Sequence, residues 1–354
     1  MDAAHGRNSN GTGATVHAIV TGGAGFIGAH LVRQLLGEGF AVTVVERPGA
    51  NLDNLAGLHV PVFTADISIP GSVRPAMARC DVLFHLAANP HLWARDRAEF
   101  RRINTEGTRN VLASARDARI PRVVYTSTES IIGPSQNGEA SHEDTPARAR
   151  DMVGKYCLSK FLAEQIAFEA AAAGQDVVVV NPSIPIGPGD VNRSPATRLV
   201  VDFLNGRVPA YMDCSLNLID VRDVAQGHIL AFRKGVSGRR YFLGHENLNV
   251  VRLLELAGEV CGRPAPRIKV PYAAGLMVAY VSEFIADYIT GTEPSATVTG
   301  VKLTRRMARL DCSRARRELG FEPGDIRNAI IDAVAWYQQI GWVAGGRRMR
   351  AATA

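Results

Sequence analysis

The sequence predicts an α/β fold, a doubly wound parallel sheet with a smaller C-terminal α/β lobe. Three observations predict it. An apolar, β-branched run over 16–21 enters a glycine-rich turn from Gly22 to Gly28 and continues as a helical pattern. Strand-like runs then alternate with helical patterns as far as Asn181, at 41–46, 60–64, 82–86, 122–126 and 176–181. Beyond Asn181 the pattern turns irregular, from the Pro/Gly-rich NPSIPIGPGD through shorter helices and strands to an amphipathic stretch over 326–340.

The first strand, turn and helix form a unit with a chemical meaning. Phe26, Ile27, Leu31, Val32, Leu35 and Leu36 recur at helical spacing until Gly37 and Gly39 stop the helix. Gly22 suits the tight turn, Gly25 lets the backbone approach a pyrophosphate, and Gly28 lets helix and strand pack closely. The N–H groups of the helix start, at Phe26 and Ile27, are donors for an anion. A Rossmann-type dinucleotide site is therefore expected, with ligands beyond the carboxyl ends of the strands.

The second strand ends at Glu46, eighteen residues after Gly28. An acidic side chain there accepts from the adenosine ribose hydroxyls and repels a 2′-phosphate, which favours NAD; Arg47 follows at once and suits the 2′-phosphate of NADP. Asp66, with Ile67 beside it, closes the third strand where it would meet the adenine. Farther on, Tyr156 and Lys160 lie four apart in the helical GKYCLSKFLAEQ, which puts phenol and ammonium on one helix face. A phenol is a poor base at neutral pH, and a nearby ammonium is expected to lower its pKa. Tyr156 then shuttles a proton while hydride passes at the nicotinamide, with a hydroxyl such as Thr128 sharing the hydrogen bond.

Taken together, TGGAGFIG, the HLAA after the fourth strand, the hydroxyl-rich YTSTESIIG after the fifth and YCLSK resemble the extended short-chain dehydrogenases/reductases, the NAD-dependent epimerase/dehydratase family. The likeness runs from about Val16 to Trp342. It implies that the catalytic hydroxyl, five before Gly133, is Thr128, that Asn104 in NTEGT orders the site, that Ala87 and Ala88 line the cofactor, and that Asn181 and Pro182 border nicotinamide and substrate. LWARD, NTEGTRNVL, NPSIPIGPGD and the long segment 198–228 resemble more narrowly the hopanoid-associated sugar epimerases, close to dihydroflavonol-4-reductase-like proteins. Glu46-Arg47 departs from that group, where an apolar residue precedes the Arg. A homodimer through the helices after Asn104 and around Tyr156 is implied as well.

Three reactions share such a scaffold. Sugar epimerisation, on a nucleotide or hopanoid-linked sugar, stands first; an NADPH-dependent carbonyl reductase or a sterol- or hopanoid-type 3-hydroxy dehydrogenase is the alternative. Dehydration comes last, because Glu129-Ser130 follows Thr128 where sugar dehydratases carry a carboxylate pair. A non-catalytic dinucleotide-binding scaffold is disfavoured by the intact Thr128, Tyr156 and Lys160. On the substrate side stand His91, Leu92 and Trp93, and Arg193, Arg198, Arg207 and Arg222 are candidate pyrophosphate donors. Asp220 and Asp223 open a helix, where capping explains at least one of them.

The remaining composition sets bounds. At 354 residues, with 46% hydrophobic residues and a mean hydropathy near zero, the chain has ample core. The expected organisation is a flexible leader over 1–15, a dinucleotide domain over 16–182 with returning segments near 215–245, a mainly substrate-binding lobe over 183–342 and a basic tail over 343–354. Of the net charge of +6, Arg347, Arg348 and Arg350 supply three, and no basic stripe interleaves with aromatics, so nucleic acid is not an expected partner. Five scattered cysteines without a CxxC pair predict a reducing, cytoplasmic setting and no metal site. The apolar run 273–289 is short for a membrane span and carries Glu283 and Asp287. It is expected to form an amphipathic helix whose Leu276, Val278, Ala279, Tyr280, Phe284, Ile285 and Tyr288 face core or partner, with membrane contact at most peripheral.

Overall fold

The computed structural model describes residues 15–133, 139–306 and 309–344. The expected leader, Thr15 apart, and most of the expected tail, including its three arginines, lie outside the described residues.

A seven-stranded parallel sheet organises the molecule. Strand β1 (His17–Thr21) feeds helix α1 (Phe26–Gly37), followed by β2 (Ala41–Glu46), β3 (Val62–Thr64), β4 (Val82–His85), α2 (Gly107–Asp117), β5 (Arg122–Thr126), α3 (Gly154–Ala172) and β6 (Val177–Pro182). The predicted strands over 41–46 and 122–126 are found with those bounds. The third is shorter, beginning after Pro61, which has no N–H to donate to a ladder. All six residues of β6 are buried, as a strand covered on both faces requires, and its Val-rich sequence suits that position.

The chain then alternates between two bodies. Strand β7 (Ile184–Ile186), helix α4 (Pro195–Leu204), the short β8 (Ala210–Tyr211) and β9 (Ser215–Asp220) build the second lobe; α5 (Val221–Lys234) and β10 (Arg240–Leu243) return to the first. The main sheet runs β10-β6-β5-β4-β1-β2-β3, reversing direction of growth between β1 and β4. That switch point opens the ligand crevice at the carboxyl ends of these strands. Apolar residues of α1 and α5 cover one face and those of α2 and α3 the other.

The second lobe continues with β11 (Glu246–Asn249), α6 (Val250–Cys261), β12 (Ile268–Lys269), α7 (Tyr272–Ile285), α8 (Val298–Thr304) and α9 (Ile326–Gln339). Its three-stranded sheet is ordered β11-β9-β7, and α4, α6 and α9 share a core with it.

Helix α7 corrects the sequence reading. Within it only Gly275 and Ala279 are buried. Of the face expected to meet core or partner, Ala279 is buried, whereas Val278 is 59%, Phe284 58% and, beyond α7, Tyr288 77% exposed, so these three side chains are not core. The small residues point inward because they alone permit close approach: Met212 lies directly against Gly275. The helical path also continues through a wider turn, giving 19 residues from Tyr272 to Thr290, long and apolar enough to cross a membrane by length and composition.

Candidate active site

The glycine turn is built for close approach. Gly22 has φ +74°, and a Cβ there would lie 2.8 Å from the Ala87 nitrogen; at Gly28 it would lie 2.1 Å from the Gly22 carbonyl oxygen. Gly25 stands just before α1 at its N-cap; no side chain caps that helix start and no acidic residue occupies its first turn. The helix start at Phe26 and Ile27 is thus kept for an external anion. Ala87 and Ala88, half-buried, follow β4 directly beneath the turn.

Glu46 folds back on the same turn, its carboxylate accepting from the Ala24 N–H at 2.7 Å. Burial raises its pKa, with the Ala24 N–H and Arg47 opposing. Arg47 is exposed. Asp66 accepts from the Ser68 N–H at 2.8 Å. The Ile67 side chain is buried beneath Gly107 of α2, so its side chain packs and only its backbone borders the crevice end of β3.

Thr128, just past β5, has its hydroxyl 2.9 Å from Glu129 Oε2 and 3.0 Å from Ser130 Oγ. The Tyr156 phenol faces the Thr128 and Ser130 hydroxyls, but burial dominates and holds its pKa above the ordinary value. Burial likewise pushes the Glu129 carboxyl up to about 7, against the lowering effect of the Thr128 hydrogen bond.

Lys160 departs from expectation in what it touches. Its ammonium donates to the Tyr125 hydroxyl at 3.0 Å and to the Thr126 carbonyl at 2.7 Å. Burial lowers its pKa to about 7, Glu164 opposing. The expected direct lowering of the Tyr156 pKa by this ammonium is therefore absent; the group is turned to β5, and dehydration of the phenol outweighs the hydroxyls beside it.

Asn104 is 1% exposed and joins three segments. Its amide oxygen accepts from the Asn89 N–H at 2.7 Å; its nitrogen donates to the Asn89 carbonyl and, at 2.9 Å, to Ser159 Oγ of α3. It ties the loop after β4 to the helix of Tyr156 and Lys160, a positioning task. Asn181 donates to the Thr128 carbonyl at 3.0 Å and to Glu164 at 2.7 Å. Pro182 follows it, buried in β6.

Several supporting residues had no distinguishing sequence signal. Tyr125 receives Lys160, and the fully buried Glu164 pairs with Arg240 at 2.6 Å while holding Asn181. His85 bridges the Thr21 and Thr108 hydroxyls, at 2.8 and 3.2 Å. Burial, assisted by Lys160, lowers its pKa to about 3, so it is neutral. Positions along β4, β5 and α3 do not by themselves show which of these side chains meet.

Cofactor fit can be tested on atoms present. Ser127 Oγ, Asn181 Oδ1 and Ser183 Oγ are buried with no hydrogen-bond partner among the described residues, at or just beyond the carboxyl ends of β5 and β6. Polar atoms left so in a protein interior suit a polar ligand. With the uncapped helix and the glycine cradle they fit a dinucleotide from the pyrophosphate to the nicotinamide carboxamide.

On the substrate side the candidate arginines are engaged. Arg193 stacks on Trp342 at 4.0 Å. Arg198 pairs with Glu293 at 2.8 Å, Arg207 with Asp202 at 3.3 Å, and Arg222 with Asp220 and Asp332 at 2.6 and 2.8 Å. Asp220 also caps α5 through the Arg222 N–H, and Asp223 accepts from the Gly324 N–H. Trp93 is buried and donates to Asp287 at 2.8 Å; His91 lies 3.9 Å from Glu293. Leu92, Met152, Val153, Tyr156, Phe161 and Leu303 share one apolar cluster beside the N-terminal part of α3.

Comparison with known proteins agrees with this geometry. The chain is 42% identical over 328 residues to a putative dihydroflavonol 4-reductase of Synechocystis sp., covering 92% of this chain and 95% of that protein. It is 32% identical to sterol demethylase protein B of Methylococcus capsulatus, covering 92% and 99%. The crystal structure of gox2253 superposes with a TM-score of 0.82 at 33% identity, covering 93% and 100%. A nucleoside-diphosphate-sugar epimerase from Pseudomonas aeruginosa shares the fold, with a TM-score of 0.77 at 23% identity over 93% and 100%. Residues 18–244 match the NAD dependent epimerase/dehydratase family. The chain belongs to that family, and is an NAD(P)-dependent enzyme of the extended short-chain dehydrogenase/reductase type.

Proposed function

We propose that this enzyme interconverts a secondary alcohol and a ketone on an apolar, ring-bearing lipid, with NAD as the favoured cofactor. The observation that carries the proposal is the contrast on the substrate side. Tyr156 packs against an apolar cluster that includes Leu92, Met152 and Leu303, while the four arginines considered for a pyrophosphate are paired with carboxylates or stacked on an aromatic ring. The names of the reductase and sterol demethylase relatives support the same class.

In this reading the bound nicotinamide supplies the hydride donor or acceptor. Tyr156 exchanges the proton at the reacting oxygen and Thr128 Oγ1 holds that oxygen. Lys160 binds the nicotinamide ribose and sustains the charge of the site, and Asn104 keeps the loop after β4 in register with α3. Gly22, Gly25, Phe26, Ile27, Gly28, Ala87 and Ala88 hold the pyrophosphate and nucleotide, with Asp66 and the Ile67 backbone at the adenine and Asn181 and Pro182 at the nicotinamide. Glu46 supports NAD; Arg47 is the residue that would admit NADP.

Epimerisation of a nucleotide or hopanoid-linked sugar remains the second reading, supported by the family match. The five free cysteines support a cytoplasmic setting. A groove of about 750 Å³ with Phe100, Leu158, Leu162 and Ile166 among its lining supports a homodimer through α2 and α3.

The test is to denature the purified protein, identify any released nucleotide by mass spectrometry, and assay two substrate sets. Net reduction of NAD with a 3-hydroxy triterpenoid or sterol is expected. Retained NAD with interconversion of UDP-sugars and no net change in the nicotinamide would instead establish epimerisation.

A further inference from the structure

We propose that α7 and its extension to Thr290 lie in the plane of an anionic lipid surface and dock the enzyme there. This stands independently of the substrate reading. One stripe of the helix, Met277, Tyr280, Val281, Phe284, Tyr288 and Ile289, is between 53% and 77% exposed. Phe284 and Tyr288 pack side by side, with ring centroids 4.9 Å apart. A contiguous apolar and aromatic stripe of this kind marks an interaction surface.

The polar residues of the same helix are turned away from that stripe. Glu283 accepts from the Val298 N–H at 2.8 Å, and Ser282 lies 3.1 Å from Ser295. Asp287 accepts from Trp93 at 2.8 Å and pairs with Arg97 at 2.8 Å. Both acids that would repel an anionic surface are thus held against the protein. The flanking charges are cationic: Lys302 lies 6.0 Å over the Tyr280 ring and Arg305 3.6 Å over the Tyr272 ring. Among the described residues neither is in a salt bridge. Aromatic and aliphatic side chains on one face, with cations beside them and both carboxylates of the helix paired, match the boundary of an anionic bilayer.

Geometry selects lying on the surface over crossing it. Nineteen helical residues span about 28 Å, enough for a bilayer core. Both ends, however, return to the same lobe. Just before α7 the Val270 N–H bonds to the Tyr211 carbonyl at 2.8 Å, and just after it Glu293 pairs with Arg198 at 2.8 Å. A spanning helix would deliver its ends to opposite sides. The docked helix also leads into the site: α7 packs on α8, and Leu303 of α8 shares the apolar cluster of Tyr156.

The test uses the full chain and sedimentation with vesicles of phosphatidylcholine, with and without phosphatidylglycerol. Wild type is expected to pellet with the phosphatidylglycerol vesicles and much less with phosphatidylcholine alone. The exposed double variant F284E/Y288E should lose at least about tenfold of that binding while keeping the wild-type melting temperature. M277E supplies an independent disruption, and K302Q/R305Q should bring binding down to the level seen without phosphatidylglycerol. Wild type remaining in the supernatant with both vesicles, or pelleting equally in all variants, overturns the proposal. So does a lipid-free molar mass that falls in F284E/Y288E, which would make the face a contact between copies of this chain.

Discussion

Tyr156 and Glu129 lie within one small group of hydroxyls, yet removing each has a different consequence. Tyr156→Phe keeps the ring and its edge contact with Phe100, 6.5 Å between centroids, but removes the proton that must reach the substrate oxygen. Turnover should fall roughly hundred- to ten-thousandfold with little change in melting temperature. A variant retaining full turnover would show that a group other than the Tyr156 phenol carries that proton. Glu129 is an acid whose folded-state pKa, about 7, lies above its unfolded value. The penalty on its ionised form is absent at low pH, grows as pH rises through that window and is complete above it. Glu129→Gln should therefore melt higher than wild type at pH 8, with the difference closing below pH 5, which thermal denaturation across pH would show. The Thr128 hydroxyl, freed from a carboxylate acceptor, should also change the pH profile of kcat/KM near neutrality. Lys160, lowered by burial to about 7, titrates in the same range, so its contribution should remain in that variant.

At the scale of elements, the strand–turn–helix unit from β1 to α1 depends on absent side chains. A Cβ on Gly28 would meet the Gly22 carbonyl at 2.1 Å and the Gly23 Cα at 2.8 Å, all backbone, so nothing flexible can yield. Gly28→Ala should destabilise the fold by about 1–3 kcal/mol and weaken dinucleotide binding, measured by melting and by fluorescence titration with NADH. Unchanged values in both would mean that the turn is not a cofactor cradle. This unit was legible in the sequence because the constraints are local: an apolar run, glycines at the turn and a periodic helix follow one another within one segment. α7 was only half legible. Its helical nature follows from composition, but the side that faces the protein is set by Gly275 and Ala279 meeting distant residues, which periodicity among uniformly apolar positions does not reveal.

The whole molecule brings together segments far apart in the chain. Asn104, Thr128, Tyr156, Lys160 and Asn181 converge because parallel crossovers return every strand in the same direction, so residues just past β4, β5 and β6 share one end of the sheet. The same crossovers leave the segment ahead of α2, residues 97–106, beside α3 with a groove between them. Leu158→Glu, placed in that groove, should convert the proposed dimer to a monomer in light scattering without lowering the melting temperature by more than a few degrees. An unchanged molar mass would rule out this face as the dimer contact.

By itself the sequence determined the class of sheet and the glycine turn, since each is written as a local pattern; it proposed Tyr156 and Lys160 by their spacing and Thr128 by family resemblance. Only the tertiary structure decided what those groups touch. Lys160 reaches Tyr125 and Thr126 instead of acting on the Tyr156 phenol, and the substrate-side arginines find carboxylates or an aromatic ring, mostly far along the chain. Burial and partner choice are properties of packed surfaces, and they depend on contacts between segments that no local pattern encodes.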